Sequence, residues 1–334
     1  MMTISYIYSR RKLGLDPSWQ IVYEWEDIIS KRLGIPIRTF SIFKNKYRYR
    51  LFDKLHLSTV GRCLSFSKKK FLFFTSIVDT KPQSVVNNNT ILAIIDFWLT
   101  DDQIPLFFKS YKDVPLMLLT NREVYDKFRE FNCPIPIEHW PLSLPDNNSF
   151  INKKKIEKSV EFCTFGRVNP FFIRMLDRYC MSHPDFCYVY SKGKSSDRSY
   201  YTNRGNFVAK DTGRESYLEF MRQTKITCYS TPGIDESKRE TDRYNQVTPR
   251  VLEMLSNGCQ VIGHFPQSAD VVWYNLNSVV PNVNTYEEFE QCLDDMRNTQ
   301  IDVKKVQNFL SKHYTSVRVN MLEIILKKHN LPKR

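Results

Sequence analysis

The sequence predicts an α/β protein built from two Rossmann-like, doubly wound domains. Three observations carry that expectation. The chain has 334 residues, more than one hydrophobic core organises well. Strand-length apolar runs alternate with amphipathic helical runs in both halves. The alternation is interrupted once, between residues 140 and 158, by Trp140-Pro141, Leu144-Pro145-Asp146, Asn147-Asn148-Ser149 and the run Lys153-Lys154-Lys155. These breaks divide the chain into a first domain over 1–145, a linker over 146–158 and a second domain over 159–315. A last helix, 316–334, is expected to return toward the first domain.

The first half opens with ISYIYS, a short apolar strand at residues 4–9. Asp16-Pro17-Ser18 then stops the chain before the amphipathic run WQIVYEWEDIISKRLG, which Gly34 closes as a helix. KFLFFTSIVD, TILAIIDF and PLMLLT follow, apolar almost without interruption, as strands covered on both faces of a parallel sheet do. REVYDKFREFN among the later strands has the pattern of a polar-faced helix.

Punctuation is cleaner in the second half. VEFCTFG is a strand, and Asn169-Pro170 supplies an N-cap and a first-turn proline for the helix PFFIRMLDRYCM. CYVYS, NFVAK, KITCYS and CQVIGH are further strands. Thr212 with Glu215, and Thr285 with Glu288, have capping-box spacing. Thr248-Pro249 opens the helix PRVLEMLSN and Gly258 ends it. Two helical stretches, about 302–314 and 316–329, finish the chain.

Composition narrows the class. With 42% hydrophobic and 25% charged residues the chain is globular, neither fibrous nor disordered. Its eight cysteines include no CxxC pair and several lie in apolar strands, so they read as buried, reduced thiols of a cytoplasmic protein. MMTISYIYSRRK is too short in apolar residues for a secretory signal, and even ILAIIDFWL carries Asp96.

The net charge of +13 implies an anionic partner. Ten basic residues between Arg38 and Lys70 face the single acid Asp53, with six aromatic residues interleaved. Such a stretch suits peripheral contact with anionic lipid at the inner face of a membrane, and a solvated basic face accounts for it equally. No nucleic-acid-binding motif accompanies it, so nucleic acid is not an expected partner.

Two segments carry chemistry. The strand EFCTFG delivers Gly166 and Arg167 into a short loop ahead of the helix at Pro170, which gathers backbone N–H groups, a helix N-terminus and a guanidinium at one point. That is a diphosphate site, or else a tight turn with a solvated arginine. In RYNQVTPRVLEMLSNGCQVIG, Val251, Leu252 and Leu255 can face a sheet while Arg250 and Glu253 share the other face. That pair is either a surface ion pair or part of a ligand site beyond the strand ends.

The stretch Leu252 to Ile262, LEMLSNGCQVI, resembles the donor-binding signature of GT-B glycosyltransferases, above all the large retaining nucleotide-sugar family and its bacterial surface-polysaccharide relatives. The resemblance implies two Rossmann-like domains facing across a cleft. It implies that Glu253 holds the ribose hydroxyls of the donor and that Gly166 and Arg167 meet its diphosphate. The family carries a second glutamate eight positions earlier, where this chain has Asn245. Thr248, Pro249 and Arg250 resemble the variant in which an arginine enters the phosphate region. Donor contacts are thus expected from Gly166, Arg167, Asn245, Thr248, Arg250 and Glu253.

No Asp-x-Asp occurs, so the metal bridge of GT-A enzymes is not expected, and no other cofactor is implied. Arg167 would neutralise the leaving diphosphate instead. Asp96 and His139 are the candidates for an acceptor base, beside their plainer readings as a helix-capping or loop acid and a packed linker histidine. The basic residues of SKGKSSDR (191–198) and Lys210 could meet phosphate, or form a solvated loop. The expected activity is glycosyl transfer from a UDP or GDP sugar to a glycan or lipid-linked glycan in bacterial surface polysaccharide synthesis. A catalytically inactive nucleotide- or glycan-binding module of the same fold is the alternative.

Overall fold

A computed structural model describes residues 4–12, 19–39, 69–83, 85–148, 157–193, 198–234 and 244–329. The chain forms two compact units, Met1–Pro145 with Thr315–Arg334, and Asp146–Tyr314.

The first unit is a parallel sheet of β1 (Ile4–Ser9), β2 (Ile37–Thr39), β3 (Lys70–Ile77), β4 (Thr90–Phe97), β5 (Leu116–Leu119) and β6 (Ile137–His139). Their order is β2-β1-β3-β4-β5-β6. Helices α1 (Gln20–Leu33), α2 (Ile104–Tyr111) and α3 (Arg122–Glu130) lie between the strands in sequence. Every residue of β5 and all but one of β3 and of β4 are buried, which is why those runs lack a polar alternation. On α1 the buried positions Val22, Trp25, Ile29 and Leu33 recur at helical spacing. Gly34 adopts φ 64 and donates its N–H to the Ser30 carbonyl, ending the helix.

The last helix of the chain, Thr315–Lys328, belongs to this unit. Val319, Leu322, Ile325 and Leu326 enter the same core as α1. A buried polar clasp fixes it: Trp140 Nε1 donates to the Arg318 carbonyl at 2.8 Å, and Arg318 Nε donates to the Pro141 carbonyl at 3.1 Å. Lys328 and His329 both meet Glu138 Oε1, at 2.6 and 2.7 Å. Burial raises the Glu138 carboxyl, and those two partners outweigh it and hold it below the usual range.

The second unit has β7 (Val160–Cys163), β8 (Tyr188–Lys192), β9 (Arg198–Thr202), β10 (Phe207–Asp211), β11 (Thr224–Ser230) and β12 (Gln260–His264), in the order β10-β9-β8-β7-β11-β12. β8, β7, β11 and β12 run parallel, whereas β9 is antiparallel to both β8 and β10. The sequence reading missed β9. Residues 191–198, expected as a loop, contain the end of β8 and the first residue of β9, and Lys210 sits within β10. The lysines and serines there obscure the β-prone SYYT that follows.

Its helices are α4 (Pro170–Ser182), α5 (Arg214–Gln223), α6 (Pro249–Ser256), α7 (Ala269–Tyr274), α8 (Tyr286–Asn298) and α9 (Val303–Leu310). Asn169 caps α4 by accepting from the Phe171 N–H, and the Thr285/Glu288 capping box forms at α8. The expected Thr212/Glu215 box does not. Gly213, with φ 141, takes the N-cap of α5, and Glu215 pairs with Arg222 instead.

Strand order reverses between β1 and β3 in one sheet and between β7 and β11 in the other, and such reversals open a crevice beyond the carboxyl ends of the strands. Most of the basic stretch between Arg38 and Lys70 lies outside the described residues. Of its two ends, Lys70 is buried with Nζ donating to the Asn88 carbonyl, which takes it out of a lipid-facing role, whereas Arg38 is exposed with its guanidinium over Tyr6 at 4.4 Å. No helix among the described residues is long and apolar enough to cross a membrane.

Candidate functional site

Past the end of β7, Thr164 donates its N–H to the Val189 carbonyl and Phe165 is buried against Tyr200, Tyr217 and Phe220. The chain then turns sharply at Gly166, φ 68, exposes Arg167 and reaches the N-cap Asn169. Asn169 does double duty. Its Oδ1 caps α4 while its Nδ2 donates to the Ile234 carbonyl at 3.0 Å, which ties this loop to the one following β11.

The segment leading into α6 is held as firmly. Val247 N–H donates to Asp270 Oδ2 at 2.7 Å, and Asp270 is fully buried. Thr248 N–H donates to the Tyr229 hydroxyl at 3.0 Å, and that hydroxyl donates onward to the Gln246 carbonyl. The Thr248 side chain points to Tyr229 as well and does not cap α6, so the first-turn amides of α6 receive no side-chain cap from it. Asn245 Oδ1 accepts from Thr231 Oγ1 at 2.8 Å, and its carbonyl accepts from Ser268 Oγ.

The two segments meet at Gly166. A Cβ on this glycine would lie 2.7 Å from Arg250 Cζ and 2.8 Å from Nη2, so the guanidinium of α6 rests directly on the backbone of the β7–α4 loop. Gly166 is required twice over, by its left-handed φ and by that close approach. Glu253, buried to 5% exposure one turn further along α6, forms an ion pair with Arg214 at the start of α5. Tyr217 lies among these charges. Burial pushes its phenol up, Arg250 pulls it down, Glu253 pushes it up again, and Arg214 and Arg198 pull it down. Glu253 is paired with Arg214 and Arg198 faces Asp211, so the Arg250 guanidinium is left as the excess positive charge of the cluster, suited to an anion.

Of the residues expected at a donor site, the structure thus brings together Gly166, Arg250 and Glu253, with Arg167 next to Gly166 in sequence and Thr248 two residues before Arg250. Asn245 is placed by Thr231. The sequence reading missed Arg214, Tyr217, Tyr229 and Asp270. Tyr229 and Asp270 do their work by holding α6 in place, and no local pattern marks them. Arg214 had one weak signal, a cation at the first position of a helix, where the macrodipole disfavours it.

No protein-family model matches the chain, and no curated protein matches it. Solved structures do. A UDP-forming α,α-trehalose-phosphate synthase from Burkholderia xenovorans aligns with TM-score 0.62 and 8% identity over 99% of this chain and 100% of its own. The chain has a GT-B fold. A trehalose-6-phosphate structure from E. coli, bound with UDP-2-fluoro glucose, aligns with TM-score 0.53 and 9% identity over 86% of this chain and 79% of its own. A protein described as a UDP-N-acetylglucosamine 2-epimerase from Listeria monocytogenes aligns at 0.52 and 7% over 99% and 97%. The GT-B scaffold therefore accommodates more than one chemistry, and the activity has to be argued from the site.

In the first GT-B domain the two acceptor-base candidates are ordered. Asp96 is inside β4, not past its end, and accepts from Ser76 Oγ at 3.0 Å on the neighbouring strand, so it is no helix cap. His139 is the last residue of β6, 5.9 Å from the Tyr125 ring, and not a linker residue. Burial first, then Arg122 and Arg318, bring its pKa down to about 4. Histidine's usual advantage as a base, a pKa near neutrality, is absent here.

Two outcomes are expected. The native state disfavours the charged His139 that the unfolded chain forms readily, so stability is complete above the unfolded pKa near 6.5 and declines as pH falls toward about 4. His139→Gln should flatten that part of the pH profile in urea titrations, and an unchanged profile would contradict the burial argument. Gly166→Ala should cost only about 1–2 kcal/mol of stability through its left-handed φ, small against a total of roughly 5–15 kcal/mol. It should nevertheless displace Arg250 and abolish measurable nucleotide binding, and retained binding would show that the guanidinium does not need its seat.

Proposed function

We propose that this chain is a glycosyltransferase that moves a sugar from a nucleotide-diphosphate sugar, of UDP or GDP type, to a hydroxyl of a glycan or lipid-linked glycan. The observation that supports the reading is the Arg250 guanidinium seated on Gly166, which joins the start of α6, without a side-chain cap, to the loop that carries Arg167 into α4. A diphosphate needs that arrangement of N–H donors and positive charge. Glu253, paired with Arg214, would hold the ribose hydroxyls.

Transfer breaks the bond between the anomeric carbon and the diphosphate oxygen and forms one to the acceptor oxygen. The electron pair leaves with the diphosphate, whose charge Arg167 and Arg250 neutralise without a metal ion. The acceptor proton passes to a general base, for which Asp96 is the candidate, the lowered pKa of His139 weighing against it. A trehalose-6-phosphate structure of the same fold is bound with UDP-2-fluoro glucose, which supports UDP as the first donor to try. Synthesis of a bacterial surface polysaccharide at the cytoplasmic face of the membrane is the setting proposed, with the basic stretch of residues 38–70, the buried Lys70 apart, as the peripheral contact.

Asn245 favours a second reading. It stands where the resembling family has a carboxylate facing the sugar, and its amide is engaged by Thr231. A nucleotide-binding module without turnover would suit that residue.

Thermal-shift titration separates the outcomes. At ligand concentrations near 100 times Kd, UDP or GDP should stabilise the protein by about 2.7 kcal/mol. Glu253→Ala and Arg250→Ala should remove the shift while leaving the unliganded melting cooperative. Stabilisation with sugar release from the donor supports the transferase, stabilisation without any turnover supports the binding module, and no response to any nucleotide contradicts both.

A further inference from the structure

In a doubly wound sheet each crossover helix covers part of one face. Here two crossovers are replaced by direct antiparallel connections, β8 to β9 and β9 to β10, so part of the sheet lacks that cover. One face of this three-stranded part is closed: Val189 and Tyr200 are buried, and Tyr200 packs on Phe220 of α5 at 4.3 Å. The other face is covered at its β8 end, where Tyr188 packs on the core and its hydroxyl donates to Asp177 of α4 at 3.2 Å, and opens toward β10. Register puts Tyr190 opposite Tyr201 and Tyr201 opposite Phe207, so one aromatic ring stands on each of three adjacent strands. Tyr188 precedes Tyr190 on the same face with rings 6.4 Å apart, and Tyr201 and Phe207 are 5.8 Å apart. Phe207 is 62% exposed.

One step further along the strands, Lys192 and Lys210 both pair in register with Ser199, and both are exposed. None of the residues that alternate onto this face along β8, β9 and β10 is acidic. Asp211 falls on the opposite face, facing Arg198 at 4.0 Å.

We infer that this face is a second, non-catalytic binding surface for an extended anionic glycan. The row of rings runs across the strands at about 4.8 Å per strand, close to the advance of a pyranose chain per sugar. The apolar C–H face of a sugar ring stacks on such rings, while the lysine row meets carboxylates or phosphates of the same chain. The choice of a glycan over a nucleic acid rests on the transferase reading: a growing product held here would stay on the enzyme between additions.

Affinity electrophoresis of the full chain tests it, with polygalacturonate as the anionic glycan and dextran as the neutral control. Wild type should be retarded by polygalacturonate and not by dextran. The double variant Tyr190→Ser/Phe207→Ser leaves the net charge unchanged, so any weakening cannot come from the overall positive charge. It should weaken polygalacturonate binding about tenfold, the loss expected for roughly 1.4 kcal/mol. Lys192→Gln should weaken binding in the same direction with the fold undisturbed. The UDP thermal shift, read in the same samples, should be unaffected, which confirms folding and separates this surface from the donor site. Equal retardation of variant and wild type, no retardation of wild type, or tighter retardation by single-stranded DNA lost in the same double variant would each overturn the inference.

Discussion

Arg250 resting on Gly166 is the contact from which the rest of the site follows. A guanidinium can approach a backbone this closely only where there is no Cβ, and the chain can turn this way between β7 and α4 only where φ is positive. Both demands fall on one residue. The outcome is that the start of α6 and the loop leading into α4, separated widely in sequence, meet beside the sheet's switch position.

That point is held rigid by groups that would never touch a ligand. Asp270, buried and accepting from the Val247 amide, and Tyr229, bonded to Thr248 and Gln246, fix the approach to α6. Asn169 ties the β7–α4 loop to the chain after β11. Each such bond contributes only about 1 kcal/mol to stability, so their joint effect is felt in geometry more than in fold. A phosphate site built on backbone N–H groups depends on that geometry, because its donors cannot adjust by rotating a side chain.

The fold was legible wherever burial on both faces or a cap left a local mark. The continuous apolar runs of β3, β4 and β5, the Asn169-Pro170 start of α4 and the Thr285/Glu288 box at α8 all form as their sequences imply. Strand β9 was not legible, because a short antiparallel strand with one open face resembles a polar loop in its first residues. Thr212 looked like a cap, but Asp211 accepts the Gly213 N–H and the helix starts one residue later than the box requires. Gly166 and Arg250, named from spacing and resemblance, do lie in contact, with Glu253 one turn further along α6. Arg214 could not be named so, since its pairing with Glu253 is set by how α5 and α6 pack on the sheet and not by any sequence interval.

The most direct test of the proposed pyrophosphate site is a crystal structure of the protein grown with UDP. The account predicts the diphosphate within hydrogen-bonding distance of the Gly166–Arg167 backbone and of the Arg250 guanidinium, with the ribose at Glu253. A diphosphate bound elsewhere, with Arg250 still lying on Gly166 and making no contact with it, would contradict the account at its foundation.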